Sequence, residues 1–429
     1  MNQLMINNKY SNKGTIYFYL PLIFILMPSF PSVLPELLGF QIIFALEVFT
    51  TIYLYKKTYL PKIEYNNIVI FTYFLIATIF SLLNDAANSE IIVSDFFELL
   101  KPLSFILFYW LYRYSYIDVS IIERNTIRAL WYIFIFLSIW SILSFIFPSI
   151  LYPLELLLYK RENMLVHRGK AIGSFSQTYH FAYTLLLPIA MSFIVFIQKT
   201  NLKYFVVFLL LLGSLLLTQS RSMYLCTAIC LFLCICIPIN YRNVKTTLKT
   251  ILLISSFIII MGSVVLYYFE DISKNLSYAV NGLELMMQGE NNSVNIRQSQ
   301  VQWVVENNPY VLIGAGIGKG VIMLESFYAL YYYRYGIIGI ALSLIITLYT
   351  ALIAYKIAKK EYYGNRNVSF FYYSLFIFYL ITPLATSSSC HMDSPKISFL
   401  FYGLMGLVYA KYSKIKYHEK IITKSTNSI

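Results

Sequence analysis

Long apolar runs separated by short polar links set the pattern of this chain. A membrane-spanning helix takes about 20 predominantly apolar residues, and runs near that length recur along most of the sequence. Because the runs are continuous rather than alternating, they predict helices rather than strands. The predicted spans are 15–34, 37–55, 67–83, 97–114, 127–147, 179–197, 203–219, 222–239, 250–269, 326–355, 368–386 and 395–411. The pattern therefore predicts an all-α polytopic membrane protein with about 12 transmembrane helices.

Composition supports the same class. Of the 429 residues, 59% are hydrophobic and 12% are charged. No water-soluble fold hides so much apolar surface behind so few charges. We expect residues 1–429 to form one integral membrane domain without a soluble domain. The first run resembles a signal peptide, but Pro28 and Pro31 stand where small cleavage-site residues would be, so we expect an uncleaved first helix.

The net charge of +13 has to be interpreted from the positions of the basic residues along the chain. If the N-terminus is cytoplasmic and the links alternate, most of the 33 basic residues fall in inside links. That is the distribution of cytoplasmic loops beside anionic lipid. We therefore expect the lipid bilayer, and no nucleic acid, as the partner of this charge.

Two links on the outside are much longer than helix connections need to be. They cover 148–178 and 270–325, and length in a connecting segment is a hint of function. We predict that the functional site faces outside, with 148–178 as an extracytoplasmic loop and 270–325 as a large extracytoplasmic catalytic loop.

Arg221 lies in a tight outside turn, 218–222, between two apolar runs. An arginine at membrane depth usually pairs with another group or faces a cavity. Snorkelling towards headgroups is the alternative, although it suits a free helix end better than a hairpin. The planar guanidinium matches phosphate oxygens at two points, so we interpret Arg221 as a phosphate-binding residue.

Arg297 and Trp303 precede a series of alternating glycines in the longest link. Glycines let the backbone approach a ligand or another helix closely, and the spacing does not fit a dinucleotide-binding loop. On this interpretation the substrate-binding residues include Trp303, Gly316 and Gly318. A flexible hinge before the next span is the alternative. The four glycines are Gly314, Gly316, Gly318 and Gly320.

Glu325 stands where the chain re-enters the apolar phase. A carboxylate at that position either complements the dipole of the following helix or acts as a general base. The sequence does not separate these two roles, and both stay open.

Two further groups of charges fall within or beside spans. Lys101 lies at helical spacing from Asp95 and Glu98, which predicts an ion pair inside the bundle. Glu47 lies in the middle of the second span with no assigned partner, and its role stays open.

The stretch 168–180 combines cations, a glycine, an amide and a histidine ahead of a span. These residues would suit a polyanionic or sugar headgroup, with Arg168, Lys170 and His180 as substrate contacts. A positive loop that only touches lipid phosphates is an equal alternative.

No metal site is convincing. Four of the five cysteines lie in one apolar run, where cysteine behaves as a small hydrophobe. His391 and Asp393 are too few ligands. We expect neither metal nor cofactor. If the protein handles a pyrophosphate leaving group, fixed arginines must do what a divalent metal does elsewhere.

Four patches of the chain together resemble the O-antigen polymerase and ligase superfamily of bacterial inner-membrane glycosyltransferases. They are the turn 219–222, the stretch from Arg297 to Trp303 with the following glycines, the stretch 325–339, and 168–180 before the sixth span. The spans between them match only in number and order. The resemblance implies a membrane glycosyltransferase-like fold and an active site on the periplasmic or outer face of the cytoplasmic membrane.

The resemblance also implies substrates and roles. The family's two essential arginines correspond to Arg221 and Arg297, and its donors are glycans on undecaprenyl diphosphate. A chain-length regulator protein is an implied partner. Ligases of the superfamily tend to carry a histidine near the start of the span after the large loop, where this chain has Glu325. That difference favours an O-antigen polymerase over a ligase, and it means that a base role is not copied from ligases. Our hypothesis is that Glu325 accepts the proton from the hydroxyl of the incoming repeat unit.

Two alternatives remain. One is a ligase that moves finished polymer onto lipid A-core. The other, from a different class, is a flippase or transporter that uses Glu47 and Lys101 as intramembrane charges. A transporter would more often show paired halves and broken mid-membrane helices.

Overall fold

The computed structural model describes residues 14–28, 36–54, 63–88, 91–159, 170–236, 292–317 and 324–426, and these residues form helices and no strands. Short 3₁₀ turns cover Val93–Leu99 and His391–Asp393. The helices are α1 (Ile16–Leu26), α2 (Glu36–Leu54), α3 (Ile63–Ala87), α4 (Leu100–Arg113), α5 (Val119–Ile146), α6 (Pro148–Leu158), α7 (Thr178–Lys199), α8 (Leu202–Leu217), α9 (Arg221–Cys236), α10 (Asn292–Asn307), α11 (Phe327–Glu361), α12 (Arg366–Ala385) and α13 (Pro395–Thr426).

The helical class is confirmed. Every predicted run within the described residues overlaps a helix, and the run 250–269 lies outside them. Among the described residues, α3, α5, α7, α11 and α12 are long and apolar enough to cross a membrane, and five further apolar helices are shorter. The chain is therefore built as a membrane-spanning protein is, while the number of 12 spans stays a prediction.

Two helices appear where we expected only links. The short apolar helix α6 begins the link 148–178, and α10 lies in the link 270–325. Helix α10 carries Arg297 and Trp303, so these residues are held by a helix rather than by an irregular loop. Residues 270–291 and 318–323 of that link lie outside the described residues.

Helix α7 forms the centre of the bundle. Nearly all of its apolar length is buried inside the protein, against α8, α12, α9 and α5. A helix that is apolar on all sides is expected in such a position. Its few hydroxyls cause no loss of hydrogen bonding, because Thr184 and Ser192 donate to the carbonyls of Phe181 and Ile189 in the same helix.

Helix α11 is broken, which corrects our expectation of one continuous span at 326–355. Gly336 has φ 62° and ψ −168°, outside helical geometry. Gly314, with φ 87°, lies against the backbone of Arg334, and Gly336 lies against the backbone of Leu312. A side chain at either glycine would collide with main-chain atoms, so the two glycines allow the preceding loop to pack directly into the break.

The hydrogen bonds that the break would interrupt are replaced. The amides of Ile337 and Ile338 donate to the carbonyls of Val311 and Leu312 at 3.0 and 3.2 Å. The carbonyls freed on the other side accept from donors elsewhere in the bundle. The carbonyl of Tyr333 accepts from the Ala315 amide at 2.6 Å. The carbonyl of Arg334 accepts from the Ser81 hydroxyl at 3.0 Å, and that of Tyr335 accepts from the Tyr73 hydroxyl at 2.6 Å. The main chain at the break is therefore satisfied within the protein.

Candidate functional site

One end of the bundle collects most of the residues that the sequence singled out. It is the end at which α7, α9, α11 and α13 begin and α12 ends. The link between α12 and α13, residues 386–394, holds this end together. The carbonyl of Thr386 accepts from the Phe327 amide at 3.3 Å, and the amide of Cys390 donates to the carbonyl of Glu325 at 2.8 Å. The start of α11 is thereby fixed to the start of α13.

Arg297 and Glu325 form an ion pair in this region. The Nη2 atom of Arg297 lies 3.3 Å from Oε2 of Glu325, and its Nε donates to the carbonyl of Ser388 at 2.9 Å. From the same helix α10, the Gln300 side chain accepts from the Glu325 amide at 3.1 Å. The two side chains are 31% and 41% exposed, so water and substrates can reach the pair. A pair this exposed is weak and can be opened by a competing ligand.

Aromatic rings and two histidines lie beside this pair. The charges of Glu325 and Arg297 both act on Tyr179, in the first turn of α7. The ring of His180 lies 4.7 Å from Tyr179 and 5.5 Å from His391. The ring of His391 stacks on Tyr183 at 4.6 Å. Burial, and then the neighbouring His180, lower the pKa of His391 far below its ordinary value, so His391 is neutral at physiological pH.

A pair of cations, Lys170 and Arg221, lies at the turn between α8 and α9. Gln219 adopts a left-handed backbone conformation, with φ 54°, and α9 begins at Arg221. The amide of Ala171 donates to the carbonyl of Leu217 at 2.9 Å, which fixes segment 170–177 against this turn. Burial, and then the charge of Arg221, lower the pKa of Lys170 to about 8. Two neighbouring cations repel each other, and an anion bound beside them offsets that repulsion.

The two cations and the ion pair are joined through the chain. Segment 170–177 leads from Lys170 directly into α7, whose first turn carries Tyr179 and His180. The structure therefore places Lys170 beside Arg221. It places His180 next to Tyr179, which lies near Arg297 and Glu325. Arg168 lies outside the described residues.

A buried cluster at the same end of the bundle, which we call the ion quartet, consists of Glu98, Lys101, Arg334 and Asp393. The ammonium of Lys101 lies 2.7 Å from Glu98 and 2.8 Å from Asp393. The guanidinium of Arg334 lies 2.9 Å from each of the same two carboxylates. The predicted bundle ion pair of Lys101 and Glu98 is thus confirmed, as part of a closed ring of two cations and two anions.

The quartet satisfies the charges that it buries. Arg334 is 5% exposed and Glu98 is 3% exposed. Burial would raise the pKa of Asp393, but the charges of Lys101 and Arg334 hold that pKa below its ordinary value. Asp393 is therefore ionised, and each buried charge faces two of the opposite sign. Without such pairing, burial at this depth would cost several kcal/mol per ion.

The described start of the glycine series packs against the same region. The Nε of Arg334 donates to the carbonyl of Ile317 at 2.8 Å, and the amide of Ile317 donates to Asp85 at 3.0 Å. Gly316 faces the Asp85 carboxylate so closely that a side chain there would collide with it. Close approach to another helix, rather than a flexible hinge, therefore explains Gly314 and Gly316 in the structure. Gly318 and Gly320 lie outside the described residues.

Trp303 has a packing role in the structure. It is half-buried, with its ring 5.5 Å from that of Tyr333, at the edge of a small apolar cluster that joins α10 to the first half of α11. This packing fixes the helix on which Arg297 and Gln300 lie. Contact between Trp303 and a substrate stays a prediction.

Glu47 lies apart from the site. Its carboxyl is buried on α2, and its oxygens accept no hydrogen bond within the part of the chain that the structure describes. In the same part of the chain, no group of three or more His, Cys, Asp and Glu side chains is arranged to hold a metal ion.

Comparison with known proteins adds no identification. No protein-family model and no curated protein matches the chain.

Sequence reasoning missed the partners of the quartet and the place of Tyr179. Arg334 and Asp393 are separated from Glu98 by more than 200 residues, so no local spacing connects them. The sequence feature that could have indicated the cluster is Arg334, which stands alone in an apolar run. A charged side chain in such a run usually pairs with a group of opposite charge.

Proposed function

We propose that this protein is a metal-independent membrane glycosyltransferase that polymerises lipid-linked oligosaccharide repeat units. It would transfer the growing glycan from undecaprenyl diphosphate to an incoming repeat unit on the same carrier, in O-antigen or similar surface polysaccharide synthesis. The observation that supports this most is the half-exposed Arg297–Glu325 pair, at the same end of the bundle as Arg221 and Lys170. Cations for a diphosphate and a carboxylate for a hydroxyl are what such a transfer requires.

The reaction assigns one task to each group. A hydroxyl oxygen of the incoming unit attacks the anomeric carbon of the growing glycan. The bond between that carbon and the diphosphate oxygen breaks, and undecaprenyl diphosphate leaves with the electron pair. Glu325 takes the proton of the attacking hydroxyl. Arg297 and Arg221 stabilise the charge on the leaving diphosphate, and Lys170 adds a third cation.

The ion pair adds an order to these events. In the structure the guanidinium of Arg297 contacts Oε2 of Glu325 at 3.3 Å and so occupies one of the carboxylate oxygens. A diphosphate that binds Arg297 competes for the guanidinium. Glu325 then becomes available as a base when the donor is in place.

A flippase or transporter is the second candidate, because α11 is broken and charges are buried. In transporters of that kind, the carbonyls freed by a broken helix coordinate the ion or substrate. Here the carbonyls of Tyr333, Arg334 and Tyr335 already accept from donors within the protein. The break is used to pack a loop, which favours the enzyme.

Deletion of the gene in its own host, followed by gel display of the surface glycan, tests the proposal. A single repeat unit on the surface supports a polymerase. Polymer that accumulates without attachment to lipid A-core would instead indicate the ligase, and complete loss of surface glycan would indicate the flippase. Reporter fusions within 275–310 should read outside the cytoplasm, and an inside reading would remove the proposed site from the substrate.

A further inference from the structure

Segment 309–313, between α10 and the glycine series, is apolar and turned outwards. Leu312 is 61% exposed, Val311 is 44% exposed and Ile313 is 36% exposed. The segment is a tight turn, because the amides of Ile313 and Gly314 both donate to the carbonyl of Tyr310, at 3.1 and 2.7 Å. A closed turn that presents three aliphatic side chains to its surroundings has to be explained if those surroundings are water.

The segment does not lie at the top of the bundle but along its flank. Its backbone binds the amides of Ile337 and Ile338, ten residues or more into α11, which is roughly 15 Å from the start of that helix at 1.5 Å per residue. On the other side, the ring of Tyr310 lies 5.6 Å from that of Phe80, seven residues before the end of α3. The turn is therefore held between two helices that are long and apolar enough to cross a membrane.

The neighbouring surface of those helices is apolar and exposed. On α3, Ile76 and Leu83 lie on the same face as Phe80 and are 60% and 66% exposed. On α11, Ile337 is 49% exposed. Large exposed aliphatic residues on a spanning helix face lipid. The aliphatic side chains of the turn continue this surface without a charged residue between 307 and 318.

We propose that segment 309–313 is a re-entrant lipid anchor, with Val311, Leu312 and Ile313 inserted among the acyl chains at the edge of the bilayer. The carbonyls of Val311 and Leu312 accept from amides at the break in α11, and the carbonyl of Tyr310 accepts within the turn. Such pairing of main-chain groups is what non-helical backbone at membrane depth requires. The anchor holds α10, and with it Arg297, at the level of the membrane surface. A diphosphate attached to a membrane lipid lies at that level. The anchor does not depend on the proposed reaction.

Site-directed spin labelling in lipid nanodiscs tests the anchor in the whole chain. A label is placed through Leu312→Cys, with Ile76→Cys as the lipid-facing reference and Gln302→Cys, on the exposed face of α10, as the water-facing reference. All variants carry Cys236→Ser, because Cys236 is the exposed native thiol among the described cysteines, and the Cys236→Ser chain alone gives the background labelling. The measurement is the accessibility of each label to oxygen, which concentrates in hydrocarbon, relative to a nickel complex, which stays in water.

The proposal expects the ratio of oxygen to nickel accessibility at 312 to match that at 76 and to exceed that at 302 several-fold. A ratio at 312 equal to that at 302 would overturn it. Protection of 312 from both reagents would also overturn it, because a second copy of the chain or another protein would then cover the turn. If Leu312→Cys does not yield folded protein, Val311→Cys carries the same expectation, since its main chain makes the equivalent contact.

Discussion

Two groups of charges at the same end of the bundle are built in opposite ways. The ion quartet is buried and balanced, with each cation between two carboxylates. The pair of Arg297 and Glu325 is exposed and joined by a single contact of 3.3 Å. A closed group has no capacity left for a ligand, whereas an open pair can exchange its partner. The comparison separates charges that hold the structure from charges available for chemistry.

The largest effect expected from this comparison is on stability. Arg334→Met should destabilise the folded chain by about 3–5 kcal/mol, because it leaves Glu98 and Asp393 buried with one cation between them. Arg297→Met, the matched control in the exposed pair, should cost about 0–1 kcal/mol. Denaturant unfolding in mixed micelles measures both. If the two variants lose equal free energy of unfolding, the ion quartet and the exposed pair do not differ in their contribution to stability.

The next effect concerns the proton acceptor. Glu325→Gln keeps the shape of the side chain but removes its basicity, so polymerisation by purified enzyme on lipid-linked units should fall roughly 10²–10⁴-fold. Glu306→Gln, an exposed residue on α10, serves as the control and should leave the rate unchanged. If Glu325 only complements the helix dipole, the cost is about 0.3–1 kcal/mol of stability and activity survives. In that case the search for the base moves to His180, His391 and Asp393.

A somewhat smaller effect is expected for the geometry of the cations. Arg221→Lys keeps the charge but loses the two-point contact with phosphate, and the same holds for Arg297→Lys. Each should reduce the polymerisation rate roughly 10²–10³-fold at a normal level of protein in the membrane, as for the loss of one stabilising donor. Arg366→Lys, at the opposite end of α12, should have no effect. Full-length glycan from Arg221→Lys would mean that any cation suffices.

The smallest effect is a dependence on pH. Because the pKa of Lys170 is lowered to about 8, its charge is present at pH 7 and is mostly lost by pH 9. Donor affinity that depends on this charge should therefore fall roughly tenfold between those pH values. Lys170→Arg keeps its charge through that range and should flatten the profile. If donor affinity falls just as steeply with pH in this variant, Lys170 does not contribute to donor binding.

The sequence was sufficient for the features that depend on local pattern. Continuous apolar runs predicted the helices, a turn at 218–220 separates α8 from α9 within the predicted turn, and the spacing of Lys101 and Glu98 predicted their contact. Long-range pairing was not accessible in this way. Arg297 and Glu325 are 28 residues apart, and either could have been a solvated side chain.

The break in α11 was missed for a different physical reason. Apart from Arg334, the residues on both sides of Gly336 are apolar or aromatic, so the pattern predicted one helix. The information that breaks the helix lies in a second glycine, Gly314, 22 positions earlier. A lone glycine in an apolar run is common, and only the fold shows that these two pack backbone against backbone.

The exchange of hydrogen bonds at this break has a consequence for how the region opens. The amides of Ala315, Ile337 and Ile338 are each bonded across the loop–helix contact rather than within one helix. None of them can be released by local fraying of α11 alone. We expect their hydrogen–deuterium exchange to share one opening rate, slower than that of the exposed end of α10, because the loop and the two halves of the helix separate only as a unit.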